Sequence, residues 1–308
     1  MADIFQVVYD VILPIFLVIG LAALLGWRFK PNPRTLSTLL IYLFTPALVL
    51  RGLSESALEA DELWQISALV LGMTLIMWLV GWLIARALKL DHKTTSAFLL
   101  TVTLLNTGNY GIPLNRFAFG PEGEARAVVC YAISAIAANT LGVYLVSSGS
   151  APPGKALMNV FKVPLPYAAA LGIVLNLTGS DLLAEGGALE PAGKAVDLLA
   201  DAAVPGMLAL LGIQLVRTSI KGRIGPILAA TGARLVIAPV IAFPLAALIG
   251  LSGITRQVGI IEVSISTAVM SIALATEFDS DTEFTSAVIL TTTFASVVTL
   301  SILLTILM

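Results

Sequence analysis

Ten times along its 308 residues the chain runs through a mainly apolar stretch long enough to form a membrane-spanning helix. About 20 such residues cross a hydrocarbon core roughly 30 Å thick. The stretches are Val8–Trp27, Leu36–Leu53, Ile66–Ala87, Ala97–Phe119, Ala125–Ser147, Val163–Leu177, Val196–Val216, Pro226–Gly250, Gln257–Thr276 and Phe284–Met308. Peptide groups in lipid must be paired within the segment, so runs of this length read as helices, whereas barrel strands would be short and alternating. The expected class is an all-α membrane protein with ten transmembrane helices. At 58% hydrophobic and 12% charged residues, with a mean hydropathy of +0.97, the chain lacks the polar groups to cover a soluble globule.

Other classes fall away on charge and residue counts. A net charge of -2 gives no basic face for nucleic acid. One cysteine, Cys130, excludes a disulfide framework and Cys-based metal sites, and is expected to be a packing residue. One histidine, His92, in a charged loop, removes most acid–base and metal constellations, so no metal site is expected. No Walker A sequence is present, so ATP is not expected to drive the protein. Asp279-x-Asp281 could bind Mg²⁺ in an intramembrane enzyme acting on lipid diphosphates, but without a second acidic motif that reading is weak, and no enzyme is expected. The first span lacks a preceding Lys or Arg and a small-residue cleavage site, so it reads as a retained helix.

The odd-numbered connections carry eleven basic residues (Arg28, Lys30, Arg34; Arg86, Lys89, Lys93; Lys155, Lys162; Arg217, Lys221, Arg223), and the even ones four (Arg116, Arg126, Lys194, Arg256). The positive-inside rule then puts the odd connections in the cytoplasm and both termini outside. Two halves, 1–150 and 151–308, of five spans each would be related by inversion. Leu13-Pro14 in the first span matches Leu165-Pro166 in the sixth, and Thr45-Pro46-Ala47-Leu48 with Gly52 resembles Val204-Pro205-Gly206-Met207 with Gly212 in the seventh.

The stretch Leu104-Leu105-Asn106-Thr107-Gly108-Asn109-Tyr110-Gly111-Ile112-Pro113-Leu114 lies midway along the fourth span. Two amides, two glycines and a proline there point to a broken helix, with Gly108 left-handed at the end of one half and Pro113 in the first turn of the next. The freed N–H groups, with Asn106 and Asn109, could hold an anion without a fixed cation. A proline kink with its amides bonded to neighbouring helices is the plainer alternative. The inverted repeat places a counterpart at Glu262-Val263-Ser264-Ile265-Ser266-Thr267-Ala268-Val269-Met270-Ser271, where hydroxyls could satisfy an opened helix or simply bond to carbonyls one turn back. Glu262 is the candidate for proton or cation coupling, against an interfacial carboxylate that reaches water. Arg234 is expected to pair with a carboxylate, attract an anionic substrate or snorkel. Asp197 and Asp201 are expected at an outer vestibule, with Arg51 reaching outer headgroups.

The Asn106–Leu114 stretch, with Phe44-Thr45-Pro46-Ala47-Leu48 and Arg234-Leu235 followed by Pro239, resembles the auxin efflux carrier family, whose fold is similar to that of bile-acid-sodium symporters. The resemblance implies two inverted five-helix repeats with crossed, discontinuous fourth and ninth helices. It also implies a core domain (spans 3–5 and 8–10) moving against a support domain (spans 1, 2, 6 and 7). The implied function is secondary transport of a small organic anion, a mono- or dicarboxylate, without a cofactor, across the plasma (inner) membrane; coupling to H⁺, to Na⁺ or to the membrane potential alone stays open. The substrate would meet Asn106, Gly108, Asn109, Tyr110, Gly111 and Pro113 at one break and Ser264, Ser266, Thr267 and Met270 at the other. Thr45, Pro46 and Pro205 would form the facing wall. The family usually has proline where this chain has Ser266, and asparagine where it has Met270. That departure leaves open a sensor that binds without transporting. Small residues are spread over many spans, so a homodimer is compatible with the sequence but no single face marks it.

Overall fold

The computed structural model describes residues 3–55, 60–138, 163–180, 182–184, 186–218 and 223–308. All regular elements among them are helical: α1 (Ile4–Phe29), α2 (Pro33–Ser54), α3 (Ala60–Ala87), α4 (His92–Thr103), α5 (Ile112–Ala137), α6 (Leu165–Thr178), α7 (Glu190–Leu215), α8 (Ile224–Ile249), α9 (Gly253–Val263), α10 (Met270–Glu277) and α11 (Thr282–Leu307). Of these, α1, α2, α3, α7, α8 and α11 are long and apolar enough to cross a membrane. The expected end of the fifth span (139–147), the connection Ser147–Lys162 with Lys155 and Lys162, the boundary at 150/151, and Lys221 lie outside the described residues.

Proline sets the shape of four helices. Leu13-Pro14, Thr45-Pro46, Ile112-Pro113 and Ala238-Pro239 each follow a single wide turn, over Val8–Ile12, Leu40–Phe44, Thr107–Gly111 and Ala233–Ile237. In each the N–H just before the proline donates to the carbonyl five residues back, as Ile112 does to Thr107. Proline has no N–H and its ring pushes on the carbonyl four residues back, so the turn ahead of it widens by one residue instead of breaking.

The fourth span divides at a different place from the one the sequence suggested. Gly108 is inside the wide turn and is not left-handed. The departure from the helix comes earlier, at Leu104, which is extended (φ -84°, ψ 130°) and gives its carbonyl to the Ala268 N–H. The left-handed glycine is Gly120 (φ 66°, ψ -156°), which bends α5 ahead of Pro121, so the fourth span passes into the fifth through one residue. His92 begins α4 behind the Asp91 cap and is not in a loop.

Two sets of helices pack closely. In one, α7 lies along α1 and α2, and α6 lies along the second half of α2. Small residues allow this approach: a Cβ at Gly212 would strike the Ile19 carbonyl, and one at Gly172 would come within 3.0 Å of the Leu50 carbonyl. In the other, α3 packs on α4, α5 and α8, α9 on α5 and α8, and α11 on α4 and α8. Arg126 ties one end of this set, donating to Glu62 (2.9 Å) and to the Thr255 hydroxyl (2.7 Å). At the other end Lys93 pairs with Asp279 (2.6 Å) and Ser96 meets Ser280 (2.7 Å). Asp281 accepts from the Phe284 N–H and caps α11. Asp279 and Asp281 thus have separate structural tasks, and no metal-holding group of three or more acidic, His or Cys side chains occurs among the described residues. Arg51, expected at the outer headgroups, pairs with Asp201 at 2.8 Å and lies 3.9 Å from Asp197.

Candidate functional site

The two polar stretches are both interrupted helices, and their non-helical links lie side by side. One link joins Thr103 to the wide turn at Thr107; the other runs from Ser264 to Val269. They pair antiparallel: the Asn106 N–H donates to the Ser266 carbonyl (3.1 Å), the Ala268 N–H to the Leu104 carbonyl (3.0 Å), and Leu105 faces Thr267. The Thr267 hydroxyl donates to the Thr101 carbonyl (2.7 Å), and its N–H to the Thr292 hydroxyl (3.2 Å). Peptide groups that would be intolerable in lipid are thus satisfied by a short ladder and two threonines. The second link opens without a proline, because Ser266 gives its carbonyl to Asn106 instead of to its own helix.

The ends of the four half-helices are treated differently. Arg234, 1% exposed, reaches from α8 to the ends of α4 and α9: Nε donates to the Ile265 carbonyl (2.8 Å), Nη1 to Val102 (3.2 Å) and Nη2 to Val263 (2.5 Å). It neither snorkels nor pairs with a carboxylate, because it starts from a buried face of α8 and three carbonyls claim its fork. Glu262 is fully buried, which overturns the interfacial reading. Asn115 Nδ2 donates to its Oε1 (2.7 Å), Oε2 has no protein partner, and a Cβ at Gly111 would fall on the carboxyl group. Gly111 is required there because only a bare Cα leaves room for Glu262.

The starts of the downstream halves face a cavity of about 630 Å³. Its wall includes Asn106, Gly108, Asn109 and Met270, with Thr45 on the opposite side. Asn106 is 4% exposed and its Nδ2 has no protein partner. Tyr110, Gly111, Pro113, Ser264, Ser266 and Thr267 do not line it; they are turned into the packing behind the links. Tyr110 lies edge-on to Phe16 with its hydroxyl 3.3 Å from Ser296. Pro46 is buried off the cavity, and Pro205 is exposed on the outer face of α7, opposite Met207, which does line it. Glu262 also lies away from the cavity.

Residues not anticipated from the sequence complete the wall. Ser134 and Gln214 each present a buried oxygen without a protein partner, and Tyr131 covers the Gly108 turn. Arg217 stands at the mouth and donates to the Pro31 carbonyl (2.6 Å). It is the one charged side chain among the described lining residues. Gln214 was findable, as an amide in the otherwise apolar second half of the seventh span; Ser134 and Tyr131 carry no such signal. Two sets of first-turn N–H groups, an amide and a guanidinium with no facing carboxylate make an environment for a small anion with an apolar body.

The chain matches the family described as membrane transport protein over residues 7–155 and 153–304. It is 25% identical over 293 residues to an uncharacterized transporter of Methanocaldococcus jannaschii, covering 94% of each chain. A second uncharacterized transporter, from Methanothermobacter thermautotrophicus, is 28% identical over 279 residues, covering 90% of this chain and 89% of its own.

Proposed function

We propose, from the premise that this chain belongs to the membrane transport protein family of auxin-efflux-carrier-like transporters, that it is a secondary carrier moving a small organic anion, a mono- or dicarboxylate, by alternating access. The observation that carries the reading is the cavity floor, where the first turns of two interrupted helices and the unpartnered Asn106 amide converge. Anion and helix N-termini attract without a fixed cation, so the ligand can be held and released without breaking a salt bridge.

Ten spans in two inverted repeats form the frame of this proposal. The body built on α3–α5 and α8–α11 carries the links and shifts against α1, α2, α6 and α7. The closer packing within each set than between them supports such a division. Ser37, just after the connection between spans one and two, and Arg217, at the end of span seven, stand at the cavity mouth. Under the positive-inside rule this end is cytoplasmic in the inner membrane, and the termini are outside. Glu262, buried behind the links, is the proposed carrier of a coupling proton or sodium ion.

Uptake and binding by purified protein in vesicles test the site. Asn106→Ala and Asn109→Ala each remove a hydrogen bond to a charged ligand, and the affinity for a transported organic acid is expected to fall about ten- to a hundredfold. Unchanged affinity in both variants defeats the site. Saturable binding without flux in the unmodified protein supports a sensor in place of a carrier.

A further inference from the structure

Both upstream half-helices, α4 and α9, end in the protein interior with their carbonyls pointing at one spot. The Val102 and Val263 oxygens converge there from the two helices, joined by the Ile265 oxygen from the link just past α9. Each helix end carries about half a negative charge, and at this depth no lipid or bulk water can neutralise it. A cluster of peptide oxygens from two helix C-termini is the kind of cage that binds an oxygen-seeking cation. In this chain the cage is filled by the Arg234 guanidinium, which spends one donor on each oxygen and is itself 1% exposed.

We infer that Arg234 is a tethered cation: it takes the place of a soluble cation at the paired helix ends and thereby positions the anion-binding ends of the downstream halves. The carbonyl ends stay neutralised whatever the ionic composition outside. The links stay paired, since Val102 is two residues from Leu104 and Ile265 is next to Ser266, the two residues whose carbonyls close the ladder. Arg234 is then a positioning residue: it touches no cavity space and acts on the ligand through the links. Its planar fork suits three carbonyls arriving from different directions, which an ammonium group on a flexible stem matches less well.

The experiment separates charge from bulk and hydrogen bonding. Thermal unfolding of the full chain in detergent is compared for the unmodified protein, Arg234→Lys, Arg234→Gln and Arg234→Ala, in sodium-free choline buffer, with and without methylguanidinium or sodium chloride. The tethered-cation role predicts that Arg234→Lys unfolds closest to the unmodified protein and Arg234→Gln well below it. Arg234→Ala should gain a saturable stabilisation by methylguanidinium or sodium over and above that which the unmodified protein and Arg234→Lys show. Where an organic acid binds, its affinity should fall about tenfold in Arg234→Gln and recover with the added cation in Arg234→Ala. Arg234→Gln as stable as Arg234→Lys overturns the inference, as does an Arg234→Ala protein indifferent to both cations. If Arg234→Ala does not fold, the order of Lys and Gln decides alone. The affinity arm rests on the transport reading; the unfolding arm does not, so an absence of organic-acid binding would fail that reading while leaving cation dependence measurable.

Discussion

At the scale of single residues the buried Glu262 is the sharpest functional question. A carboxyl group at 0% exposure, with one oxygen on Asn115 and the other unpartnered, is costly to keep in an apolar bundle unless it does something there. It sits behind the links and not in the cavity, so its effect on the ligand must pass through Gly111 and Asn115 of the downstream half. If it carries the coupling ion, uptake by the unmodified protein depends on a pH or sodium gradient and Glu262→Gln abolishes that dependence. Binding at the cavity floor, which Glu262 does not touch, should change by no more than about threefold. Gradient dependence that survives Glu262→Gln removes the residue from coupling. That an acid stands in a span is plain from the sequence; how deeply it is covered is not. Position along a helix gives distance from the membrane surface, whereas exposure depends on which neighbours cover the face, and Asn115 and Gly111 come from a span far away in the chain.

At the scale of elements, the wide turn before Pro113 controls where the cavity floor lies. Pro113 has no N–H to give the Asn109 carbonyl, so Ile112 bonds to Thr107 and Gly111 to Asn106, each one residue further back than in an α-helix. In Pro113→Ala the normal bond can form. The protein is expected to be unchanged or stabilised by about 0.5–1.5 kcal/mol. Rewinding shifts the Asn106–Asn109 turn by up to one residue, about 100° of rotation, so ligand affinity should fall about tenfold or more through misplaced donors. Thermal unfolding and equilibrium binding check both directions, and loss of stability together with affinity would mean that the proline only holds the fold. The break itself was legible because Asn, Gly and Pro at bilayer depth are all poorly suited to an unbroken lipid-facing helix. Its geometry was not: the chain leaves the helix at Leu104, and the reason is the strand-like pairing with Ser266 and Ala268, contributed by the other half of the sequence. Pro205 shows the complementary limit. The repeat drew attention to it, but a repeat says nothing about which way a residue faces, and this one faces outward.

At the scale of the molecule, alternating access requires that the two helix sets part at one end while closing at the other. The cavity is lined by Ser37 and Leu40 at the start of the second span, and the far end of that span takes no part in its lining. There α2 packs on α5, and a Cβ built at Gly52 would stand 3.9 Å from the Ala125 Cα and 4.0 Å from Val128 Cγ2. Gly52 belongs to the set with α6 and α7, and Ala125 to the set carrying the links, so under the proposed alternating access this contact is the seam to be opened. Disulfides need Cβ atoms about 3.5–4.5 Å apart, and a Gly52 Cβ that stands 3.9 Å from the Ala125 Cα brings the two positions close enough for a crosslinking test. In Gly52→Cys/Ala125→Cys the native Cys130 is fully buried and should not compete for oxidation. Oxidised protein is expected to bind ligand from the open end as the reduced protein does but to lose uptake to background, with uptake restored by reducing agent. Because the crosslink lies at the closed end, a pure binding defect cannot mimic this pattern. Full uptake through a crosslinked seam would show that the two sets need not separate there, and the moving-body account would have to give way to a path through a fixed frame.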